Sequence, residues 1–261
     1  MISQLIAYRG FIYESVKREF LSRYTNSILG TAWAVINPLA MILVYTLIFS
    51  SLMKARLPGV QSEFSYSIYI CAGLLTWGLF SETLSRCCNT FLENANLIKK
   101  ISFPRICLPA IAALSALSNF LIIFSLFVLF LVITNNFPGW VFLLIFPVLL
   151  IQICFAVGLG IILGVLNVFF RDVGQLLGVG IQFWFWLTPI IYFKSILPKK
   201  LQLLLSLNPM ASIIGAYQDI LLLGQAPQAT SLIPPAVVAV VLCLTSVHLY
   251  KRCAGEMVDE L

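Results

Sequence analysis

The sequence predicts an all-α integral membrane protein that crosses the bilayer six times, and three observations lead to this fold class. Of the 261 residues, 61% are hydrophobic and only 10% are charged, whereas soluble domains carry about a quarter charged residues. The charges stand in clusters, which leaves uncharged runs of the length that a membrane-spanning helix needs. The basic residues are also concentrated in alternate connecting segments, as the positive-inside rule requires of a multi-pass protein.

The net charge of +6 would suit a nucleic-acid partner in a soluble protein. In a chain this apolar it indicates loops that face anionic lipid and the cytoplasm, so no nucleic-acid partner is expected. The seven cysteines have no C-x-x-C spacing, and the single histidine, His248, cannot complete a typical zinc site. We therefore expect free thiols that pack as small apolar residues, with no metal site and no catalytic residue.

Residues 1–29 are predicted to form an amphipathic helix on the cytoplasmic membrane surface. Charged residues from position 9 onward interrupt the first apolar run before the core of a signal peptide could form, so this segment is expected in the mature protein. The apolar positions that recur at helical spacing are Tyr13, Val16, Phe20 and Tyr24. Lys17 and Arg18 are predicted to turn away from this stripe, which favours an interfacial helix.

Six apolar runs are long enough to cross the membrane. They lie at about 30–52, 64–84, 107–133, 140–166, 174–193 and 232–250. The uncharged stretch from 106 to 170 is too long for one crossing, and the sequence TNNFPGW at 134–140 predicts a turn in its middle.

The apolar segment 201–223 is not predicted to cross. Asn208 and Pro209 interrupt it, and Asp219 would be costly at mid-bilayer. We expect two re-entrant half-helices in the outer leaflet between spans five and six, which is tolerable where the backbone is buried in protein or lines a cavity.

The distribution of the 16 basic residues supports this count. With six spans and the N-terminus inside, eleven lie on the cytoplasmic side and five outside, whereas a seventh span would move Lys251 and Arg252 outside. The prediction is therefore a single transmembrane domain over 1–261, with the six spans within 30–250 and a cytoplasmic tail at 251–261.

Between spans two and three lies the sequence NANLIKKISFPR, residues 94–105, which is basic and amphipathic. Leu97, Ile98 and Ile101 share one helical stripe that suits docking into a partner's groove. The polar residues expected at the rim of such a groove are Asn94, Asn96, Lys99 and Lys100. The residues alone leave a second interpretation open, in which the helix rests on lipid with its lysines on head-groups.

This segment resembles the coupling helix of bacterial polysaccharide-export permeases, a branch of the ABC transporter superfamily. The similarity extends over nearly the whole chain. Its further elements are KREFLSRYTNSILGTAWAVINPLAMILVYTLIF (17–49), AGLLTWGLFSETLSR (72–86), FFRDVGQLL (169–177), TPIIY (188–192) and LNPM (207–210). The family usually carries Arg-Asp where this chain has Arg18–Glu19, which preserves the charge.

The resemblance implies a homodimer in the bacterial inner membrane that works with two separate ATPase subunits and exports lipid-linked polysaccharide. O-antigen exporters are the most similar, and capsule and teichoic acid exporters are near relatives. The chain has no G-x-x-x-x-G-K phosphate loop, so ATP and Mg would be bound by the partner and no cofactor is expected in this chain. The coupling residues would be Asn94, Asn96, Leu97, Ile98, Lys99, Lys100, Ile101 and Arg105.

Two other functions remain open from the residues. A drug or small-lipid exporter of the same architecture would favour a smaller site with fewer aromatic residues. A membrane enzyme would need convergent acids, bases or metal ligands at one depth, for which Glu82 and His248 offer too little.

A conduit for sugars would benefit from aromatic rings that offer flat surfaces to C–H faces. The candidate channel-lining residues are Tyr45, Tyr69, Trp77, Phe80, Trp184 and Tyr192. Aromatic belts and lipid-facing packing are the alternative. The cations nearest to a lipid pyrophosphate are Arg9, Lys17, Arg18 and Arg23, although anchoring to anionic lipid explains them equally well.

Two local pairs are predicted to be structural. Glu82 and Arg86 are four residues apart, so an ion pair within one helix is preferred to a gate contact. Gly160 and Gly164 form a small-xxx-small pair, which predicts close helix packing.

Overall fold

The computed structural model describes residues 2–22, 30–46, 64–100, 103–193 and 198–260. Within these ranges every regular element is a helix, and four helices are long and apolar enough to cross a membrane. The all-α membrane fold is therefore confirmed. The helices are α1 (Ile2–Ala7), α2 (Arg9–Ser22), α3 (Trp33–Thr46), α4 (Ser65–Glu93), α5 (Ala95–Lys100), α6 (Cys107–Ile133), α7 (Ile145–Phe169), α8 (Asp172–Trp186), α9 (Lys199–Ser206), α10 (Pro209–Gln218), α11 (Ala229–Cys253) and α12 (Glu256–Glu260).

The four long helices α4, α6, α7 and α11 correspond to predicted spans two, three, four and six. Helix α6 has the predicted bounds, and α7 follows a 3₁₀ segment, Gly139–Leu144, that continues the same span. The turn between them falls where the sequence places it, with positive φ angles at Asn135 (56°) and Gly139 (66°). Helix α4 runs on to Glu93 instead of ending near 84, so span two continues directly into α5.

Spans one and five are represented by shorter helices. Helix α8 has 15 residues and is about 22 Å long, less than the ~30 Å hydrocarbon core. It ends at Trp186 because Pro189 disfavours helical geometry in the residue before it, and the chain then turns inward to bury Thr188 and Ile190. Helix α3 covers 33–46 of the predicted 30–52, and 47–52 lie outside the described residues. The count of six crossings stays a prediction.

The segment 201–223 is divided as predicted. Helix α9 ends at Ser206 and α10 begins at Pro209. Asn208 caps α10, since its side-chain oxygen accepts a hydrogen bond from the backbone N–H of Met210 at 3.1 Å. A π-helical turn, Asp219–Leu223, follows α10 and ends at Gly224 in the left-handed region (φ 60°). The depth of these helices in the membrane stays a prediction.

Helix α4 lies at the centre of the described structure, between α6, α7 and α10. The contact of α4 with α7 depends on glycine. A Cβ at Gly160 would stand 2.5 Å from the Cβ of Cys87, and a Cβ at Gly164 would stand 2.7 Å from the carbonyl oxygen of Cys87. The packing role predicted for this glycine pair is confirmed. All seven cysteines are free thiols, as predicted.

The N-terminal helix α2 packs against α6. Its buried residue is Ile12, whereas Tyr13 is 66% exposed. Lys17 lines the same groove as Tyr13 and Phe20, so the prediction that Lys17 turns away from the stripe is wrong: residues four apart share one face of a helix. Tyr24 lies outside the described residues.

Candidate coupling surface and conduit

Helix α5 is joined to span two by a single capping residue. The side-chain amide of Asn94 donates to the carbonyl oxygen of Thr90 at 2.8 Å and so ends α4. The carbonyl oxygen of Asn94 accepts from the backbone N–H groups of Leu97 and Ile98, both at 3.0 Å, and so begins α5. A displacement of α5 would therefore act directly on α4.

The apolar stripe of α5 faces its own chain. Ile98 is only 6% exposed and packs in a cluster with Phe91, Val165 and Met257, and Leu97 is partly buried against the same cluster. The prediction that Ile98 docks into a partner's groove is therefore corrected, because three helices of this chain already cover it. Ile101 lies outside the described residues.

The outward face of α5 is polar. Asn96, Lys99 and Lys100 are all exposed, and the two lysines stand in the last turn, where a cation is favourable. Arg105, which was grouped with them from sequence, points elsewhere: its guanidinium donates to the carbonyl oxygen of Ala254. The structure thus separates the described coupling residues, which are the eight predicted ones without Ile101, into an exposed polar face and groups that bind within the chain.

A partly buried ion network joins α2, α4 and α6. Arg86 pairs with Glu82 one turn earlier on α4, at 3.1 Å, and with Glu19 on α2. Ser115 of α6 donates to Glu19 at 2.6 Å, and Asn119 donates to Glu82 at 2.9 Å. The predicted ion pair within α4 is confirmed. Sequence reasoning missed Glu19 as a partner, since it lies 67 positions from Arg86 and only the fold brings them together.

A groove of about 510 Å³, here called the coupling groove, links this network to α5. Glu19 and Arg86 form part of its wall, and Asn94 and Leu97 form another part. Arg18 also lines it, whereas Lys17 does not. The α4–α5 junction and the ion network therefore line one groove.

The predicted conduit residues fall into three groups, of which the first is an aromatic cluster. Trp77 and Phe80 of α4 meet Trp184 of α8, with ring centroids 6.4 Å and 5.2 Å from that of Trp184. Phe80 is fully buried and Trp77 is 7% exposed. The indole N–H of Trp184 donates to the side-chain oxygen of Asn208 at 2.9 Å, which ties this cluster to the α9–α10 break.

The second group is formed by the two tyrosines near the end of α8. The Tyr69 hydroxyl is 3.1 Å from the carbonyl oxygen of Pro189 and 3.0 Å from that of Tyr192. The Tyr192 hydroxyl donates to the carbonyl oxygen of Trp186 at 2.8 Å. The third group is Tyr45 alone, which lines a cavity of about 180 Å³ between α3, α4 and α6. The lining of a conduit by these residues stays a prediction.

The predicted phosphate-facing cations are also separated. Arg9 and Lys17 line a groove of about 890 Å³ between α1–α2 and α6, here called the interface groove. Of the described residues that line it, none is acidic and most are apolar. Arg18 lies in the coupling groove, and Arg23 lies outside the described residues. In the described part of the chain no group of three His, Cys, Asp or Glu residues could hold a metal ion.

The sequence model of the ABC-2 type transporter family matches residues 11–222, from the interface helix to the π-helical turn before α11. The chain belongs to the ABC-2 type transporter family. Its match includes α5, the ion network and the whole aromatic cluster, so the features described above lie inside the ABC-2 region.

Three curated relatives extend the comparison. An O-antigen export system permease protein RfbA of Myxococcus xanthus is 30% identical over 100% of this chain and 99% of its own length. A protein of the same name from Klebsiella pneumoniae is 32% identical over 77% of this chain and 76% of its own. The polysialic acid transport protein KpsM of Escherichia coli is 24% identical over 90% of each chain. This ABC-2 chain is thus a multi-pass membrane transporter subunit, and its similarity to the Myxococcus xanthus permease extends over its full length.

Proposed function

We propose that this ABC-2 permease exports a lipid-linked polysaccharide, an O-antigen, across the bacterial inner membrane as a homodimer that works with two separate ATPase subunits. The observation that carries the proposal is the similarity to the RfbA permease of Myxococcus xanthus, which extends over essentially the full length of both chains. The similarity to KpsM supports a capsular polymer as the second candidate.

The exposed polar face of α5 is the proposed site of contact with the ATPase. Asn96, Lys99 and Lys100 offer hydrogen bonds and positive charge at a surface that the described chain leaves open. Because α5 follows α4 after one capping residue, motion imposed on this face would reach the aromatic cluster along a single rigid helix.

The proposed conduit lies along α3, α4 and α8. Helix α8 has no buried residue, and α3 buries only Ala34, Pro38 and Ile42. A second copy of the chain would cover much of this apolar surface and leave the rings of Tyr45, Trp184 and Tyr192 near the path between the copies. Hydroxyl and indole groups there combine a flat face with a polar tip, which suits a sugar polymer.

Deletion of the gene tests the function. A strain without the permease should accumulate lipid-linked polymer inside the cell, and the wild-type chain should restore polymer to the surface. Normal surface polymer in the deletion strain would rule the proposal out.

A charge reversal tests the coupling face. The double variant Lys99→Glu/Lys100→Glu should insert normally, because neither lysine is buried, and should bind the ATPase less tightly and lose most export. Lys200→Glu, at an exposed position of α9, changes the charge by half as much on the opposite predicted side and should export normally. Full export by the Lys99/Lys100 variant would exclude this face as the contact.

A further inference from the structure

The C-terminal tail does not project freely from the last long helix. After α11 ends at Cys253, the chain turns through Ala254 and Gly255 into the five-residue helix α12, which packs against α7. Met257 on α12 is 1% exposed, so its side chain is enclosed although α12 itself is short.

The buried cluster that contains Met257 also contains a residue of the coupling helix. Met257 belongs to the same buried cluster as Ile98 of α5, Phe91 of α4, and Val165 and Val168 of α7. A methionine side chain is unbranched and flexible, which suits an irregular gap between three helices. Helix α5 therefore lies against a surface that the tail helps to build.

A polar contact joins the same two segments. The Arg105 guanidinium, in the connection between α5 and α6, donates to the carbonyl oxygen of Ala254 at the end of α11. Carbonyl groups at a helix C-terminus lack partners within the helix and carry partial negative charge, so a guanidinium is a favourable cap there. Near this end of α11, Tyr250 also stacks on Phe91, with ring centroids 6.2 Å apart and an interplanar angle of 18°.

Helix α5 depends on such contacts. It has six residues, and isolated helices shorter than about 12 residues are marginal in water. Asn94 holds its beginning on α4. Ile98 packs in the buried cluster to which Met257 of the tail belongs, and Arg105 joins the connection after α5 to the tail.

We propose that residues 254–257 clamp the coupling helix, and that Arg105 and Met257 are positioning residues that hold α5 at the angle needed to receive the ATPase. The use of the clamp in transport depends on the proposed function of α5, but its effect on the position of α5 does not. The proposal also assigns Arg105 a role within the chain in place of the partner contact expected from sequence.

Hydrogen–deuterium exchange of the full-length permease in lipid nanodiscs tests the clamp directly. Met257→Asp should raise exchange of the amides of residues 95–100 by about tenfold or more, because a carboxylate cannot replace the thioether in this cluster. Met257→Leu, which nearly preserves the volume, should keep wild-type exchange. Glu256→Gln, an exposed change on the same helix, is the matched control and should also have no effect.

Arg105→Gln tests the polar contact without touching the apolar cluster, and it serves equally if Met257→Asp does not accumulate. It should raise α5 exchange by a smaller factor, which Arg105→Lys should partly restore because lysine can still donate to the Ala254 carbonyl. Unchanged α5 exchange in both Arg105→Gln and a chain that ends at Cys253 would overturn the clamp.

Transport assays separate the clamp from the proposed function. In the reconstituted complex, Met257→Asp should raise the number of ATP molecules hydrolysed per polymer exported. Met257→Leu should keep the wild-type ratio. If the substitution only reduced the amount of folded protein, the rates of ATP hydrolysis and of polymer export would fall together and their ratio would not change. If Met257→Asp raises hydrogen exchange in α5 but leaves export and ATPase binding normal, the clamp is upheld and the coupling role of α5 is refuted.

Discussion

Arg86 stands between two carboxylates that reach it from different helices, Glu82 on its own helix and Glu19 on α2. The three side chains are 23–33% exposed, so solvent screens the network only in part. Removing the guanidinium would leave two like charges close together beside apolar helices, which costs more than a surface ion pair is worth.

The variant Arg86→Gln should therefore lower the stability of the permease by about 1–3 kcal/mol, measured by thermal unfolding in detergent. Arg86→Lys should lose less, since one ammonium can still meet one carboxylate. Removing the repulsion with Glu19→Gln/Glu82→Gln in the same chain should recover part of the loss. Arg171→Gln, an exposed change, is the control; equal stability of Arg86→Gln and wild type would show that the network carries no net stabilisation.

At the scale of residues, local pairing could be predicted and distant pairing could not. Glu82–Arg86 follows from helical spacing alone, whereas Glu19 could not be matched with Arg86 before the fold was known. The same limit explains Ile98: an apolar stripe shows that something covers it, but does not show whether the cover is a partner or the chain's own Met257.

At the scale of elements, the interface groove gives the two faces of α2 different roles. Arg9 and Lys17 line this groove with apolar side chains of α2 and α6, while Arg18 and Glu19 line the coupling groove. We expect the apolar wall to bind an acyl chain and the two cations to meet the phosphate of the same lipid.

The variant Arg9→Gln/Lys17→Gln should bind anionic lipid less tightly. Each cation near an anionic surface is worth about 1 kcal/mol, so the loss should be about 2 kcal/mol, or roughly 30-fold. Retention of phosphatidylglycerol over phosphatidylcholine by the purified permease, read by mass spectrometry, measures it. Glu14→Gln, on the exposed side of α2, should retain lipid as the wild type does. Equal retention by the double variant would refute a lipid role for this groove.

The sequence predicted best the elements that are marked by a long uncharged run or by a distinct cap. Spans two, three, four and six rest on extended uncharged runs, and the break at Asn208–Pro209 rests on a cap followed by a proline. The early end of α8 was missed because the apolar run continues through Pro189, although the backbone leaves the helix before it. Hydropathy reports burial in lipid, and it does not report whether an apolar segment is helical.

At the scale of the whole molecule, the contact between α5 and the tail constrains the topology. Arg105 and Ala254 touch, so they lie on the same side of the membrane and an even number of crossings must separate them. In the six-span prediction, helices α6, α7, α8 and α11 supply four. If α8 crosses as predicted, a full crossing by the α9–α10 segment would make five and place the tail opposite α5, which is inconsistent with the contact of Arg105 with Ala254.

Reporter fusions test this topology. Helix α9 has 8 residues, and the break at Asn208–Pro209 separates it from the continuous helix Pro209–Leu223, so neither piece by itself reaches across a ~30 Å core. We therefore expect a fusion after Gly255 to report the cytoplasm, as should one after Asn96, while fusions after Trp140 and Lys200 should report the outside. This arrangement keeps Lys251 and Arg252 on the same side as Lys99 and Lys100, as the positive-inside rule favours.

A fusion after Gly255 that reports the outside would mean that residues 199–223 cross the bilayer. It would also mean that the contact of Arg105 with Ala254 cannot form in the inserted protein, which would refute both the six-span topology and the clamp built on it.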